Sequence, residues 1–366
     1  MGVEDCVGVV RLVTPPTDNA KTGGHIYNAR VAEILGGNGA LHQCVVPPGA
    51  IGDWLRRTAA RPNSPGDPPV IVLDSLYISA ARALHAARAD DRVARQRWLL
   101  LAHLLPTQEH DGEDERRAEE IALPLFDGAI APSRYMRELL RRRGVPGQRL
   151  YACPPGTDLP SATARATDTA KATATTAGRD HNSHSSKPVQ ILTVANWIPR
   201  KNLEGVLDAL EQLKELSWQW KIVGHAAQES RYADRLKQRI AASPVGERVA
   251  TRGTLEFDEL DALWRETEVF ALATRFESYG MVFAEALSYG VPVVAPEICA
   301  VPEIVANGVS GILYDPAHQD GLRNALRSLI ENPARRRSLS SGARAEAQRL
   351  TSWQQTAECF LAACSE

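Results

Sequence analysis

The sequence predicts an α/β protein built as two Rossmann-like domains facing a cleft. Three observations carry this. The chain is 366 residues long, comfortable for two domains and long for one. Short apolar runs alternate with helical patterns along its whole length, the signature of strands joined by crossover helices. Residues 160–187 then interrupt the alternation with a tract dominated by Thr, Ala and Ser.

In the N-terminal half, the buried-type run over residues 7–13 is the first strand. Thr22-Gly23-Gly24 opens a helix over 25–35, and Gly36-Gly37-Asn38-Gly39 stops it. Further apolar runs predict strands at 42–46, 70–74, 98–102, 128–131 and 150–153. Amphipathic spacing predicts helices at 80–89, 113–122 and 133–143. Residues 160–187 bury too little to offset the entropy of ordering and read as a flexible insertion. His181 and His184 within it have no accompanying ligand cluster, so they read as polar linker residues. Beyond it, strands are expected at 189–194, 219–223, 248–252, 269–273 and 291–295. Helices are expected at 203–215, 229–241, 256–265, 279–289 and 320–331. The domains are thus 1–159 and 188–345, with a C-terminal helix in 346–366 packing back toward the first.

Composition excludes several classes. Apolar residues make up 44% and the formal net charge is −2, with no basic excess to attract nucleic acid. Residues 1–10 lack the cationic and apolar regions of a signal peptide. No apolar run reaches the roughly 18 residues that span a bilayer. The six cysteines include no C-x-x-C pair and read as reduced core thiols of a cytoplasmic protein, without zinc or disulfides.

The most informative residues are Glu277 and Glu285, between the apolar runs 269–273 and 291–295. If most of that interval is helical, the two carboxylates stand about 12 Å apart along the axis. A retaining-hydrolase pair needs about 5 Å, so these suit two ends of one elongated polar ligand. Ser278, Tyr279, Gly280 and Met281 fall at the helix start, where free N–H groups can hold a phosphate or diphosphate. Taken alone, the pair is better explained by plain helix charge. Arg200 and Lys201, after the strand at 189–194, supply cations that can stabilise a departing diphosphate. Gly23 and Gly24 let backbone approach a ligand closely, though a plain turn accounts for them equally. His103 follows an apolar strand at its carboxyl end, where ligands bind in such sheets, though taken alone a histidine there is more often structural.

The stretch from Phe276 to Ala295, with Glu277-x7-Glu285 and the following E-A-L-S-Y-G-V-P-V-V-A, resembles the core of the GT-B retaining glycosyltransferases of family 4, the glycosyl transferases group 1. Residues 189–202 resemble the opening strand and basic turn of the donor domain, and Glu303 to Gly311 its closing stretch. The similarity spans roughly residues 188–335; Thr22-Gly23-Gly24, His103 and Pro155-Gly156-Thr157-Asp158 match fainter landmarks.

The resemblance implies transfer of a sugar from a UDP- or GDP-sugar, with retention, to an unidentified small-molecule or glycan acceptor. His103, Lys201 and Glu277 would be catalytic. Glu277 would hold sugar hydroxyls, Arg200, Lys201 and residues 278–281 the diphosphate, Glu285 the ribose, and backbone near Thr254 the base. Gly23 and Gly24 would lie against the donor phosphate and acceptor. The family usually carries an Arg where this chain has Asn196, which leaves the role of Arg200 open. No Asp-x-Asp motif occurs, so no metal or other cofactor is expected. A lipid acceptor would bring the protein to a membrane surface as a peripheral partner. A sugar-nucleotide epimerase or phosphorylase on the same scaffold, and a catalytically silent nucleotide-sugar-binding module, stay open at this point.

Overall fold

The computed structural model describes residues 10–16, 22–37, 39–59, 70–160, 187–226 and 231–366. Cys6, Asn38, His181, His184 and most of the Thr/Ala/Ser tract therefore lie outside the described residues. The chain divides into two compact units, Met1–Gly156 with Thr351–Glu366, and Thr157–Leu350.

The first unit holds β1 (Val10–Thr14), α1 (Gly23–Gly36), β2 (Leu41–Val45), α2 (Ile51–Ala59), β3 (Val70–Asp74), α3 (Ala81–Arg88), α4 (Asp91–Ala94), β4 (Arg97–Leu101), α5 (Pro106–Glu109), α6 (Glu113–Ala122), β5 (Gly128–Ala131), α7 (Arg134–Arg142) and β6 (Leu150–Ala152). Its strands form a parallel sheet in the order β2-β1-β3-β4-β5-β6, so the order reverses between β1 and β3. β3, β4 and β5 are almost wholly buried, which is why they read as unbroken apolar runs.

The second unit holds β7 (Val189–Val194), α8 (Leu203–Glu211), β8 (Trp218–Val223), α9 (Arg231–Ala242), β9 (Val249–Arg252), α10 (Phe257–Glu266), β10 (Val269–Ala271), α11 (Met281–Ser288), β11 (Val293–Pro296), β12 (Gly311–Tyr314), α12 (Gly321–Glu331) and α13 (Pro333–Ala347). The order β12-β11-β10-β7-β8-β9 is the doubly wound arrangement, with its switch point between β7 and β10. A buried polar link crosses this sheet. Trp220 Nε1 donates to Thr193 Oγ1 at 2.9 Å, and Thr193 Oγ1 donates to Ala271 O at 2.6 Å.

The last helix, α14 (Trp353–Ser365), belongs to the first unit. Trp353 meets Tyr27 edge-on at 6.2 Å, and Thr356 Oγ1 donates to Pro154 O at 2.8 Å. A side chain at Gly156 would run into the Trp353 backbone, so glycine is required there by close approach.

Two expectations need correction. Cys153 and Cys359 form a disulfide between the end of β6 and α14, so the cysteines are not all thiols; their Cα atoms are 5.6 Å apart. Spacing hid the pair because 206 residues separate it. Sequence reading also missed α2, β12 and α13. α13 buries Leu339, Ala343 and Ala347 on one face, and two alanines make a faint apolar stripe.

Candidate functional site

The switch point of the second unit brings together the loop after β7 and the loop after β10. Ligands of doubly wound sheets bind outside the carboxyl ends of the strands at such a crevice. The first loop ends in a single 3₁₀ turn over Pro199–Lys201, closed by Asn202 in the left-handed region at φ 49°. The second is clasped to it through backbone. Arg275 N donates to Arg200 O at 2.8 Å, and Arg200 Nη1 donates to Phe276 O at 3.0 Å. Thr274 Oγ1 also donates to Phe276 O, at 3.0 Å.

This clasp sets Lys201 against Glu277. Lys201 Nζ lies 2.6 Å from Glu277 Oε1, with side chains only 15% and 7% exposed. Ala300 N donates to Glu277 O at 3.3 Å, so the carboxylate is held from its backbone as well. Two ions this poorly solvated need each other, because removing either leaves an uncompensated buried charge.

The helix begins later than the sequence suggests. α11 runs Met281–Ser288, and Gly280 precedes it at φ 100°. Ser278 and Tyr279 therefore stand in the loop, and only half of the interval from Glu277 to Glu285 is helical. The axial estimate of about 12 Å, which assumed a mostly helical interval, does not apply. The glycine explains the difference: its backbone region is one L residues avoid, and a Cβ there would sit 2.6 Å from Phe283 Cδ2. Free N–H groups at a helix start belong to its first turn, so the candidate anion-binding groups shift to Met281 and Val282, Phe283 N being taken by Gly280 O at 2.9 Å. Tyr279 is buried, and burial, with the Glu303 charge adding to it, pushes its hydroxyl up to about 12. At the other end, Gly290 N donates to Leu287 O and Val291 N to Ala286 O, a Schellman closure around Gly290 at φ 70°.

Glu285 is half-buried and accepts a hydrogen bond from Trp264 Nε1 at 2.9 Å. Burial raises its carboxyl to about 7, against the opposing pull of the indole N–H. Trp264 is in turn stacked on Tyr289 at 5.8 Å, whose hydroxyl donates to Asp261 Oδ1 at 2.7 Å. Thr254 is exposed, just after β9, beside the Gly253 carbonyl that accepts from Gly224 N at 3.2 Å. A cavity of about 540 Å³, bounded by Asn202, Thr274, Arg275, Ile298, Tyr314 and Arg323 among others, adjoins the two loops without including Lys201 or Glu277.

The first unit has its own cluster at its own switch point, between β1 and β3. Thr22 caps α1, its Oγ1 accepting from His25 N at 3.4 Å, so Gly23 and Gly24 form the first turn. Gly24 is pressed on His103: an added Cβ would lie 2.9 Å from His103 Cδ2. The imidazole Nε2 stands 2.8 Å from Asn28 Oδ1, and Asn28 Nδ2 donates to Asp74 Oδ2 at 2.6 Å. Tyr27 meets the ring edge-on at 5.2 Å. Burial lowers the pKa of His103; nearby Asp74 opposes this and His25 adds to it.

The structure thus joins Gly24 to His103 and Arg200 and Lys201 to the loop of Glu277. It gives Glu285 a different neighbourhood, built by Trp264. Asn28, Asp74 and Trp264 were missed by sequence reading. Asp74 did carry a signal, a carboxylate closing the apolar strand Val70–Asp74 at its carboxyl end. Trp264 carried none, since an apolar residue inside an amphipathic helix reads as core.

Residues 175–346 match the family model described as Glycosyl transferases group 1, so this stretch is a glycosyl transferases group 1 domain. The D-inositol 3-phosphate glycosyltransferase of Xylanimonas cellulosilytica is 29% identical over 244 residues, covering 66% of this chain and 58% of that protein. Glycogen synthase of Mycobacterium tuberculosis is 31% identical over 187 residues, 48% of this chain and 43% of that one. The chain therefore spans about half the length of these curated relatives. Among solved structures, Anabaena HepE in complex with UDP and glucose superposes with a TM-score of 0.75 at 17% identity, covering 98% of this chain and all of that one. That likeness shows the fold: two parallel six-stranded sheets of the GT-B type.

Proposed function

We propose that this protein is a retaining, metal-independent glycosyltransferase of family 4 type that moves a sugar from a nucleotide-diphosphate sugar to an acceptor hydroxyl. The observation that carries the reading is the poorly solvated Lys201–Glu277 ion pair at the β7/β10 switch point. An ion pair costs more to bury than an apolar pair of the same volume, so its retention at a ligand-binding crevice favours a working site. The group 1 domain and the names of the relatives support the same reaction class.

In this reading Glu277 accepts hydrogen bonds from donor sugar hydroxyls while Lys201 holds it in place. Lys201, Arg200 and the backbone around Gly280 and Met281 stabilise the diphosphate as negative charge accumulates on it. Ser278 and Tyr279 shape the loop that presents those groups. Glu285 grips the ribose, backbone near Thr254 meets the base, and His103 with Gly23 and Gly24 serves the sugar and acceptor. UDP- and GDP-sugars both fit this assignment.

The test is a thermal-shift panel of UDP- and GDP-sugars, followed by turnover of the stabilising donor with candidate acceptors. Product NMR should give the donor's anomeric configuration, and a chelator should leave the rate unchanged. Stabilisation by no nucleotide sugar would sink the reading. Conversion of the donor without any acceptor would favour an epimerase. Donor binding with product formation indifferent to Glu277→Gln would favour a silent binding module.

A further inference from the structure

The hydrogen bonds around His103 fix which of its nitrogens carries the proton. Asp74 is 1% exposed and receives two donors, Leu76 N on Oδ1 at 2.9 Å and Asn28 Nδ2 on Oδ2 at 2.6 Å. A carboxylate only accepts, so the Asn28 amide must turn its NH₂ toward Asp74. Its Oδ1 then faces the imidazole, where it too can only accept. The Nε2 atom 2.8 Å away must therefore be the N–H of the ring. The opposite amide orientation would set two oxygens against each other at 2.6 Å. A flipped ring would put a carbon against Asn28 and leave a buried amide oxygen unsatisfied. No other described residue hydrogen-bonds the ring, and Gly24 and Tyr27 confine it.

We propose that Asp74 and Asn28 are positioning residues that lock His103 in the Nε2–H tautomer, so that Nδ1 stands ready as a hydrogen-bond acceptor for a sugar hydroxyl. That Nε2 carries a proton follows from the geometry alone; the sugar hydroxyl rests on the glycosyltransferase reading. The ring stays neutral because burial outweighs the attraction of Asp74, whose nearest oxygen is 3.8 Å from Nε2. His103 would thus orient a hydroxyl by accepting its proton in a hydrogen bond, a task the other tautomer cannot perform from the same atom. Asn28 acts as an insulator as well as a relay. It passes the orientation of Asp74 to the ring without placing a carboxylate in direct contact, which would favour the imidazolium.

The test uses the full chain labelled with ¹⁵N-histidine, its His103 signals assigned by their loss in His103→Gln. At pH 8 a long-range ¹H–¹⁵N correlation should show protonated Nε2 and bare Nδ1. An Nδ1–H tautomer, or an imidazolium, would overturn the proposal. Asp74→Asn keeps the cap on Leu76 but introduces a donor, so Asn28 can turn over and the ring can take Nδ1–H. The variant should shift toward that tautomer and lower donor kcat/KM by about tenfold, the scale of one lost hydrogen bond. Unchanged Nε2–H in Asp74→Asn would overturn the role of Asp74. Should that variant fail to fold, Asn28→Ser removes the relay, and an unaltered tautomer there would have the same force. The expected wild-type spectrum in a protein that binds no nucleotide sugar would instead count against the glycosyltransferase reading.

Discussion

Lys201 Nζ stands 2.6 Å from Glu277 Oε1 although the two residues lie 76 positions apart in the chain. Both are largely buried, and both sit on loops that leave neighbouring parallel strands, β7 and β10.

Breaking that pair should affect stability and activity differently according to the substitution. Lys201→Ala strands a buried carboxylate and should cost about 3–5 kcal/mol of unfolding free energy. Glu277→Gln keeps a hydrogen-bond acceptor for Lys201, so its folding loss should be smaller while donor kcat/KM falls by about 100-fold. Denaturant melts of the two single variants and the double variant give the coupling energy. Additive losses would show that the pair is not a unit.

Glu285 should make the stability of the second unit depend on pH. Its carboxyl moves from 4.5 to about 7 through burial, so the folded state binds the proton more tightly than the unfolded chain. The stabilisation is complete below about pH 4.5 and is lost as pH rises through about 7. Glu285→Gln abolishes that loss and should therefore be up to about 3 kcal/mol more stable than the parent at pH 8, with little difference at pH 4.5. Melting temperatures across this range decide it. If the carboxylate grips ribose, nucleotide affinity in the parent should rise over the same interval, because binding favours the ionised form.

Gly24→Ala tests close approach rather than backbone freedom. The added methyl meets His103 Cδ2 at 2.9 Å and must push the imidazole off Asn28. Overpacking of this kind costs about 1–3 kcal/mol. The melting temperature should fall, and His103 ring resonances should shift; an unperturbed histidine spectrum would contradict the packing.

The disulfide between Cys153 and Cys359 ties α14 to the first unit across 206 residues of chain. Removing it by Cys359→Ser should lower unfolding stability by about 2–4 kcal/mol. Reductant should reproduce the shift in the parent and leave the variant unaffected. Equal melting of oxidised and reduced protein would argue against a stabilising link.

Gly280→Ala should be among the least tolerated changes in the α11 loop. It places a Cβ at φ 100° and 2.6 Å from Phe283 Cδ2. A loss of about 1–3 kcal/mol is expected from the backbone conformation. Donor affinity, read by titration calorimetry, should fall with it because the loop carries Glu277 on one side and Met281 on the other.

Most of the parallel strands were legible because strands buried on both faces appear as apolar runs, as Val189–Val194 and Val70–Asp74 do. The exceptions have local causes. β12 is a four-residue edge strand, and α13 hides its inner face behind alanines. The start of α11 was misplaced because Ser278 and Tyr279 do not forbid helix; the left-handed turn at Gly280 does.

The sequence by itself determined the α/β class and the two-part organisation, and it singled out Lys201, Glu277, Glu285 and His103 as candidate site residues. Those depend on local pattern: apolar periodicity, glycine punctuation and a motif contained within some twenty neighbouring positions. Only the tertiary structure decided what each of them touches. Strand order places β7 beside β10 and so pairs Lys201 with Glu277, while β1 beside β3 brings Asn28 to Asp74 and His103. Partners separated by dozens of residues are chosen by how strands stack and where loops emerge, and no local pattern in the chain records that choice.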